Sequence, residues 1–193
     1  MIQSTGISID NFYIPPFTLD KGEIVIIQLP NGPYFEELLF KLVDILTDKI
    51  KNENIEIGTA LRFIEQVNEG YWRTLFFPST VKRYIRKHSN PGNDVATTIY
   101  EFDGINQNTK ISKLPGTQRK LLSLWTTFSW TDKIIFDLRG IDPLGGQRIY
   151  DLMKKLVGNS GAAILIDYND EFKDNCTRLV KFELIPKVSN IVK

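Results

Sequence analysis

Residues 21–39 read KGEIVIIQLPNGPYFEELL, and this stretch decides the fold. Its apolar run at 23–28 is typical of a strand that is buried on both faces. The turn-forming residues PNG follow at 30–32, and an apolar helical pattern with acids in its first turn then runs over 36–51. The order strand, loop, helix predicts the frame in which nucleotide-binding α/β domains cradle phosphate.

The residues that give such a loop its chemistry are missing. The working pattern is Gly-x-x-x-x-Gly-Lys-Ser/Thr. On this frame Leu29 takes the first Gly position and Tyr34 the second, while Phe35 stands at the Lys position and carries no charge. Glu36 stands at the Ser/Thr position, where its negative charge opposes the partial positive charge of a helix start. We therefore predict a degenerate phosphate loop that does not bind polyphosphate, made of Pro30, Asn31, Gly32, Tyr34, Phe35 and Glu36.

Composition narrows the class of protein. A length of 193 residues predicts a single domain. The formal net charge of +1 argues against nucleic acid as a partner, because nucleic-acid binding relies on a strongly basic surface. The single cysteine, Cys176, is typical of a reducing compartment. No apolar run approaches the ~20 residues that a membrane span needs. We expect a cytoplasmic protein with no direct membrane insertion; if it works at the inner face of a membrane, a partner must hold it there.

Strand and helix patterns alternate along the rest of the chain. Strands are predicted at 6–11, 57–64, 133–136, 162–166 and 178–184. Helices are predicted at 118–130 and 147–157, with an amphipathic segment at 81–87. This alternation predicts an α/β fold built on a mainly parallel sheet.

Short segments in a fixed order carry a family resemblance. They are Tyr13, the KGE at 21–23 with the PNG at 30–32, FIEQ at 63–66, FPSTV at 77–81, LPGTQR at 114–119, IIFD at 134–137, IDPLG at 141–145 and ILIDY at 164–168. In this order they resemble the landmarks of the ATPase subunit of ATP-binding-cassette (ABC) transporters over nearly the whole chain.

The resemblance implies a fold and a domain plan. The fold is α/β, a P-loop NTPase-like (ABC ATPase) core with a mainly parallel sheet, short antiparallel N-terminal strands and a small helical subdomain. We expect one ABC-ATPase-like domain over 1–193, with the core at about 1–66 and 110–185, the helical subdomain at about 67–109 and a tail at 186–193.

The resemblance also implies candidate contacts with nucleotide or with a partner subunit. By position they are an adenine-stacking aromatic, the Q-loop glutamine, two residues of the signature segment that acts on a partner's nucleotide, the Walker B aspartate and the D-loop aspartate. In this sequence these are Tyr13, Gln66, Gly116, Gln118, Asp137 and Asp142. Each also has a plain structural interpretation: a packed tyrosine, a hinge or surface glutamine, a helix start, a buried strand-end carboxylate bonded to loop amides for Asp137, and a turn aspartate for Asp142.

Departures from the family pattern argue against catalysis. Leu138 stands at the general-base position and cannot take a proton, Tyr168 replaces the switch histidine, and Pro115 removes a backbone donor from the signature segment. Because these losses fall on different parts of one reaction, we predict a pseudo-ATPase that is not an enzyme. It would have no catalytic residues, no metal site and no ATP or Mg²⁺ cofactor.

One segment has the composition of a docking surface. Aromatic residues there precede a basic helical face, at the place where the family receives its membrane-embedded partner. The residues are Tyr71, Trp72, Phe76, Phe77, Lys82, Arg83, Arg86 and Lys87. The alternative is that the aromatics fill the core of the small subdomain and that the basic face is only solvated.

Three functions stay open at this point. The first is a catalytically inactive subunit that acts as a structural or regulatory partner in an ABC-type membrane transport or mechanotransmission complex. It would pair with another ABC-ATPase-like subunit, as a homodimer or heterodimer, or with a transmembrane subunit. The second is a free-standing cytosolic protein-interaction module that reuses the fold. The third is an ATP-binding subunit with residual activity.

Overall fold

A computed structural model describes residues 1–67, 79–102 and 104–185. Within these residues the strands are β1 (Ile2–Ser4), β2 (Ile7–Ile9), β3 (Phe12–Ile14), β4 (Phe17–Leu19), β5 (Ile24–Gln28), β6 (Ile55–Ile57), β7 (Arg62–Phe63), β8 (Lys133–Phe136), β9 (Ala162–Asp167), β10 (Arg178–Lys181) and β11 (Glu183–Leu184). The α-helices are α1 (Phe35–Leu46), α2 (Val81–His88), α3 (Gly116–Phe128) and α4 (Pro143–Val157). Short 3₁₀ helices cover Asp94–Glu101, Ile111–Lys113 and Lys173–Asn175.

A five-stranded parallel sheet forms the centre of the fold, in the order β10-β5-β9-β8-β7. The predicted α/β fold with a mainly parallel sheet is therefore confirmed. Gln28 of β5 lies opposite Asp167 of β9, and Phe136 of β8 lies opposite Leu165. The carboxyl ends of these strands meet at one edge of the sheet, which is where α/β proteins bind ligands.

The apolar run of β5 is buried on both faces because alternate side chains enter different cores. Ile24 and Ile26 pack in the core that holds α3 and α4. Val25 and Ile27 pack in the core that holds α1 and the N-terminal strands. This two-sided burial is the reason why the run shows no alternation of polar and apolar residues.

Two small antiparallel sheets flank the parallel one, in the orders β4-β1-β6 and β11-β3-β2. The short antiparallel N-terminal strands that the resemblance implied are confirmed. From the residues alone, only the strand at 6–11 was predicted, and it corresponds to β2. The prediction missed β1, β3 and β4, which like β2 have only three residues and so give little period-two pattern.

Several element boundaries differ from the predicted ones. The strand predicted at 57–64 is split into β6 and β7, because the chain passes here from the antiparallel sheet to the parallel one. Helix α1 ends at Leu46, near Asp48 with its φ of 63°, instead of reaching residue 51. Helix α4 begins at Pro143 instead of 147, since Asp142 caps it through the N–H of Gly145 at 2.9 Å.

Helix α2 and the 3₁₀ helix Asp94–Glu101 lie in the segment that was predicted to form a helical subdomain. Val81 and Ile85 of α2 share a core with α3, and so do Ala96 and Ile99 of the 3₁₀ helix. The division of the chain into a core and a helical subdomain stays a prediction. No helix in the described part of the chain is both long and apolar enough to cross a membrane.

Candidate functional site

The loop between β5 and α1 is open at the carboxyl edge of the parallel sheet. Its first N–H, that of Leu29, donates to the carbonyl of Asp167 at 2.8 Å, and the N–H of Phe35 donates to Gly32 at 3.1 Å. Gly32 has a φ of 114°, and no other group lies within 4 Å of where a Cβ would stand. Within the described residues, the N–H groups of Asn31 and Gly32 donate to no protein acceptor. Free amides of this kind are what a phosphate oxygen accepts from.

The phenylalanine at the lysine position belongs to the core. Phe35 is 6 % exposed and packs with the residues beneath α1. Its ring meets the ring of Tyr168 edge-on, with centroids 5.5 Å apart. Two departures from the family pattern, at the lysine and at the switch histidine, are therefore in contact with one another. Together they make an aromatic pair beside the loop.

Asp137, at the end of β8, is held by two cations. Its carboxylate is 3 % exposed. One oxygen, Oδ2, accepts from the ammonium of Lys120 at 3.2 Å. The other, Oδ1, accepts from the backbone N–H of Arg139 at 3.0 Å and from its Nε at 3.1 Å. Both oxygens thus have protein partners, and the predicted contact of Asp137 with nucleotide stays a prediction.

Lys120 is a buried cation that sequence reasoning missed. Its side chain is 1 % exposed, and Nζ also donates to the carbonyl of Ile64 at 2.8 Å. Burial lowers the pKa of Lys120, and the attraction of Asp137 opposes that shift. Spacing could have revealed it, because Lys120 stands four residues after Gly116 and four before Leu124, on the buried side of α3.

Arg139 carries positive charge to the start of α1. Its guanidinium donates to Oε1 of Glu36 at 2.9 Å and lies over the ring of Phe40, 5.1 Å from the centroid. The sequence predicted uncompensated negative charge at this helix start. The structure instead places a cation within hydrogen-bond distance of it. Arg139 and Gln66 also line a cavity of about 600 Å³ beside α1.

The segment after β8 is packed tightly against the start of α3. A Cβ added at Gly116 would lie 2.8 Å from the carbonyl oxygen of Gly140 and 3.7 Å from Nε2 of Gln66. Two predicted residues, Gln66 and Gly116, are therefore near one another within a single chain. The predicted contact of Gly116 with a partner's nucleotide stays a prediction.

Asp142 joins α4 to α3. Its Oδ2 accepts from the hydroxyl of Thr117 at 3.0 Å, and its Oδ1 caps α4. The N–H of Gly145 and then the Thr117 hydroxyl lower the pKa of Asp142. Gln118 and Asp142 line a second cavity, of about 620 Å³. The role of both residues toward a partner stays a prediction.

The remaining predicted residues lie away from the loop or beyond the described chain. Tyr13 is in β3, and its ring covers Gly6, so the structure places it in a packed position on an antiparallel sheet. The aromatic docking residues Tyr71, Trp72, Phe76 and Phe77 lie outside the described residues. The basic docking residues Lys82, Arg83, Arg86 and Lys87 are exposed on α2. A docking function for this set stays a prediction.

A buried carboxyl group adjoins the loop at the end of β9. Asp167 is 5 % exposed, and its Oδ1 accepts from the N–H of Tyr168 at 2.7 Å. Burial raises the pKa of Asp167 to about 6, although the N–H groups of Tyr168 and Asn169 oppose the shift. The folded protein therefore holds this proton more tightly than the unfolded chain does. The stabilisation is fully present below about pH 4 and is lost as the pH rises through about 6.

This titration predicts a pH-dependent effect of Asp167→Asn. Relative to the unsubstituted protein, the free energy of unfolding of the variant is expected to rise by about 3 kcal/mol between about pH 4 and pH 8, because Asn cannot ionise. Urea denaturation at both pH values measures the difference. A difference between Asp167→Asn and the unsubstituted protein that is the same at both pH values would contradict the prediction.

Solved structures share this fold. A nucleotide-free ATP-binding cassette from an ABC transporter matches with a TM-score of 0.66 and 16% identity, over 93% of this chain and 86% of that one. A part of the ABC transporter complex cbiONQ from Clostridium perfringens matches with a TM-score of 0.66 and 14% identity, over 95% and 86%. A dimeric ATP-binding cassette in a post-hydrolysis state, bound to ADP and Pi, matches with a TM-score of 0.60 and 14% identity, over 96% and 99%.

These matches confirm the resemblance at the level of the fold, which is that of an ABC ATPase with its P-loop NTPase-like core. Sequence comparison adds nothing to this, since no family model and no curated protein matches the chain.

The comparison contradicts two predictions made from the sequence. The chain was expected not to be an enzyme and to have no ATP or Mg²⁺ cofactor. A cassette of the same fold is instead described after hydrolysis, with ADP and Pi bound. Those predictions depended on what Phe35 and Leu138 lack, and did not consider a cation brought to the first turn of α1 from a distant part of the chain.

Proposed function

We propose that this chain is an ATP-binding subunit of an ABC-type transport complex. The observation that carries the proposal is the position of Arg139, whose guanidinium reaches the first turn of α1 at Glu36. There it provides the positive charge that Phe35 cannot provide. The open loop supports the same proposal, because the N–H groups of Asn31 and Gly32 face no protein acceptor within the described residues.

Arg139 is suited to this role by the way in which it is held. Asp137 fixes its Nε, and Phe40 lies under its guanidinium plane. Its side chain is 29 % exposed, so it is accessible from solvent. A guanidinium fixed in this way offers N–H donors in a planar fork, which matches the oxygens of a phosphate.

The proposal extends to partners and to turnover. We propose that the chain pairs with a second cassette and reaches the cytoplasmic face of a membrane through a transmembrane subunit. The support for this is that matching cassettes are described as dimeric or as part of a transporter complex. Hydrolysis belongs to the proposal, but we expect it to be slow, because Leu138 cannot act as a general base, a role worth ~10²–10⁴ in rate.

Substitution of Arg139 tests the proposal. Arg139→Met keeps the apolar stem and removes the charge, and is expected to weaken ATP binding about 10- to 100-fold, since a hydrogen bond to a charged group contributes roughly 1.5–3 kcal/mol. Isothermal titration with Mg²⁺ and ATP measures the dissociation constant. The matched control is Arg86→Met, at an exposed position on α2, which is expected to bind as the unsubstituted protein does.

Two outcomes would refute the proposal. One is the absence of ATP binding by the unsubstituted protein at millimolar nucleotide. The other is an equal affinity in Arg139→Met and the unsubstituted protein. Thermal unfolding of each variant shows whether a loss of binding reflects a loss of the fold.

A further inference from the structure

Among the described residues, three contacts hold the Arg139 guanidinium, and they differ in how easily a ligand could replace them. Asp137 is 3 % exposed and binds Nε from within the fold. Phe40 provides a ring face, which offers no site for exchange with an anion. Glu36 is the third contact; its side chain is 70 % exposed, and it receives a hydrogen bond from the guanidinium at 2.9 Å. Glu36 is therefore the contact open to exchange.

Glu36 also lies at the start of α1, where the loop amides would hold a phosphate. It is the second residue of α1, and it follows the open loop directly. Glu36 lies four residues after Gly32 and accepts from the Arg139 guanidinium at 2.9 Å, so the start of α1 is where a phosphate held by the loop amides could meet that guanidinium. The carboxylate and the phosphate are both anions, and both take N–H donors from arginine in the same way. They would therefore compete for one group.

We infer that Glu36 is a tethered competitor that sets the affinity and the anion selectivity of the loop, a conclusion that rests on the proposed function. In the free protein, its carboxylate occupies the Arg139 guanidinium. A bound polyphosphate takes the guanidinium over, and Glu36 turns to solvent. Because the competitor is part of the chain, its local concentration is fixed. The observed dissociation constant then equals the intrinsic one divided by the fraction of protein in which Arg139 is free.

The neighbouring Glu37 provides a matched control. It lies in the same first turn of α1, and its side chain is 60 % exposed. Its partner is Lys41, at 2.7 Å, and Lys41 also binds Asp10. Loss of either glutamate removes one negative charge from the same helix start. Only the loss of Glu36 also releases Arg139.

The experiment compares Glu36→Gln with Glu37→Gln by isothermal titration, using ATP with Mg²⁺ and, separately, inorganic tripolyphosphate. Glu36→Gln is expected to tighten the binding of both probes about fivefold, and Glu37→Gln less than about twofold, in keeping with the small energies of exposed ion pairs. The gain in Glu36→Gln should disappear when Arg139→Met is added, because the released group is then absent.

The outcomes separate this inference from the proposed function. If the unsubstituted protein and Glu36→Gln both fail to bind either probe at millimolar concentration, the proposed function fails and the inference fails with it. If the unsubstituted protein binds, an equal effect of the two glutamine variants overturns the inference alone. So does weaker binding by Glu36→Gln, because Glu36 would then contribute to the bound state.

Discussion

Lys120→Met is expected to lower the free energy of unfolding by about 3 kcal/mol, because it leaves a buried carboxylate without its ammonium partner. Lys120 and Asp137 are 1 % and 3 % exposed, so water cannot take the place of the missing charge. The carbonyl of Ile64 loses its donor in the same step. Arg139 still binds the other oxygen of Asp137, which keeps the expected loss at the lower end of the range for broken buried pairs.

Urea denaturation at neutral pH measures this loss of unfolding free energy. Two further variants show whether the loss comes from the buried ion pair. Lys49→Met removes a lysine that is 66 % exposed and bound to Asp44, and is expected to cost less than about 1 kcal/mol. Adding Asp137→Asn to Lys120→Met removes both charges and is expected to recover part of the stability. A cost for Lys120→Met as small as that for Lys49→Met would show that the buried pair contributes little.

Phe35→Ala is expected to lower the free energy of unfolding by about 3–5 kcal/mol, the usual cost of removing a buried aromatic side chain. The ring is 6 % exposed and packs in the core beneath α1. The position that would hold a phosphate-binding lysine is therefore a core position in this chain. For the same reason, Phe35→Lys would bury an ammonium group and is not expected to create a working phosphate loop.

The adjacent Tyr34 is the control for this prediction. It is 63 % exposed, and Tyr34→Ala is expected to change the unfolding free energy by less than about 0.5 kcal/mol. A double-mutant cycle with Tyr168→Ala isolates the edge-on ring contact, which is expected to contribute about 0.5–1.5 kcal/mol. If Phe35→Ala and Tyr34→Ala cost the same, Phe35 does not belong to the core.

Patterns local in sequence predicted the framework of the fold. The continuous apolar run of β5 indicated a strand buried on both faces, and the alternation of strands with helices indicated a parallel sheet. Strands of three residues give little pattern, so that of the four N-terminal strands only β2 was predicted and β1, β3 and β4 were missed. Helix ends were misplaced where a single side chain sets them, as Asp142 does for α4.

The charges of the candidate site could not be predicted in the same way. Glu36 and Arg139 are 103 residues apart, and Lys120 and Ile64 are 56 apart. No local pattern relates such positions, because the sheet brings them together only after the chain has folded. The sequence shows that Phe35 carries no charge, but no local pattern shows that Arg139 lies at the first turn of α1. The predictions of no enzyme and no cofactor were made without knowledge of that cation.

The first turns of α3 are fastened to the loop that follows β8 at two points. Thr117 is bonded to Asp142, and Lys120, three residues further along, is bonded to Asp137. These two bonds are about one helical turn apart on α3, so they restrain rotation of the loop relative to the helix. Arg139 lies between the two bonded aspartates in the sequence. A displacement of the loop that begins at Arg139 is therefore expected to move the start of α3 as well.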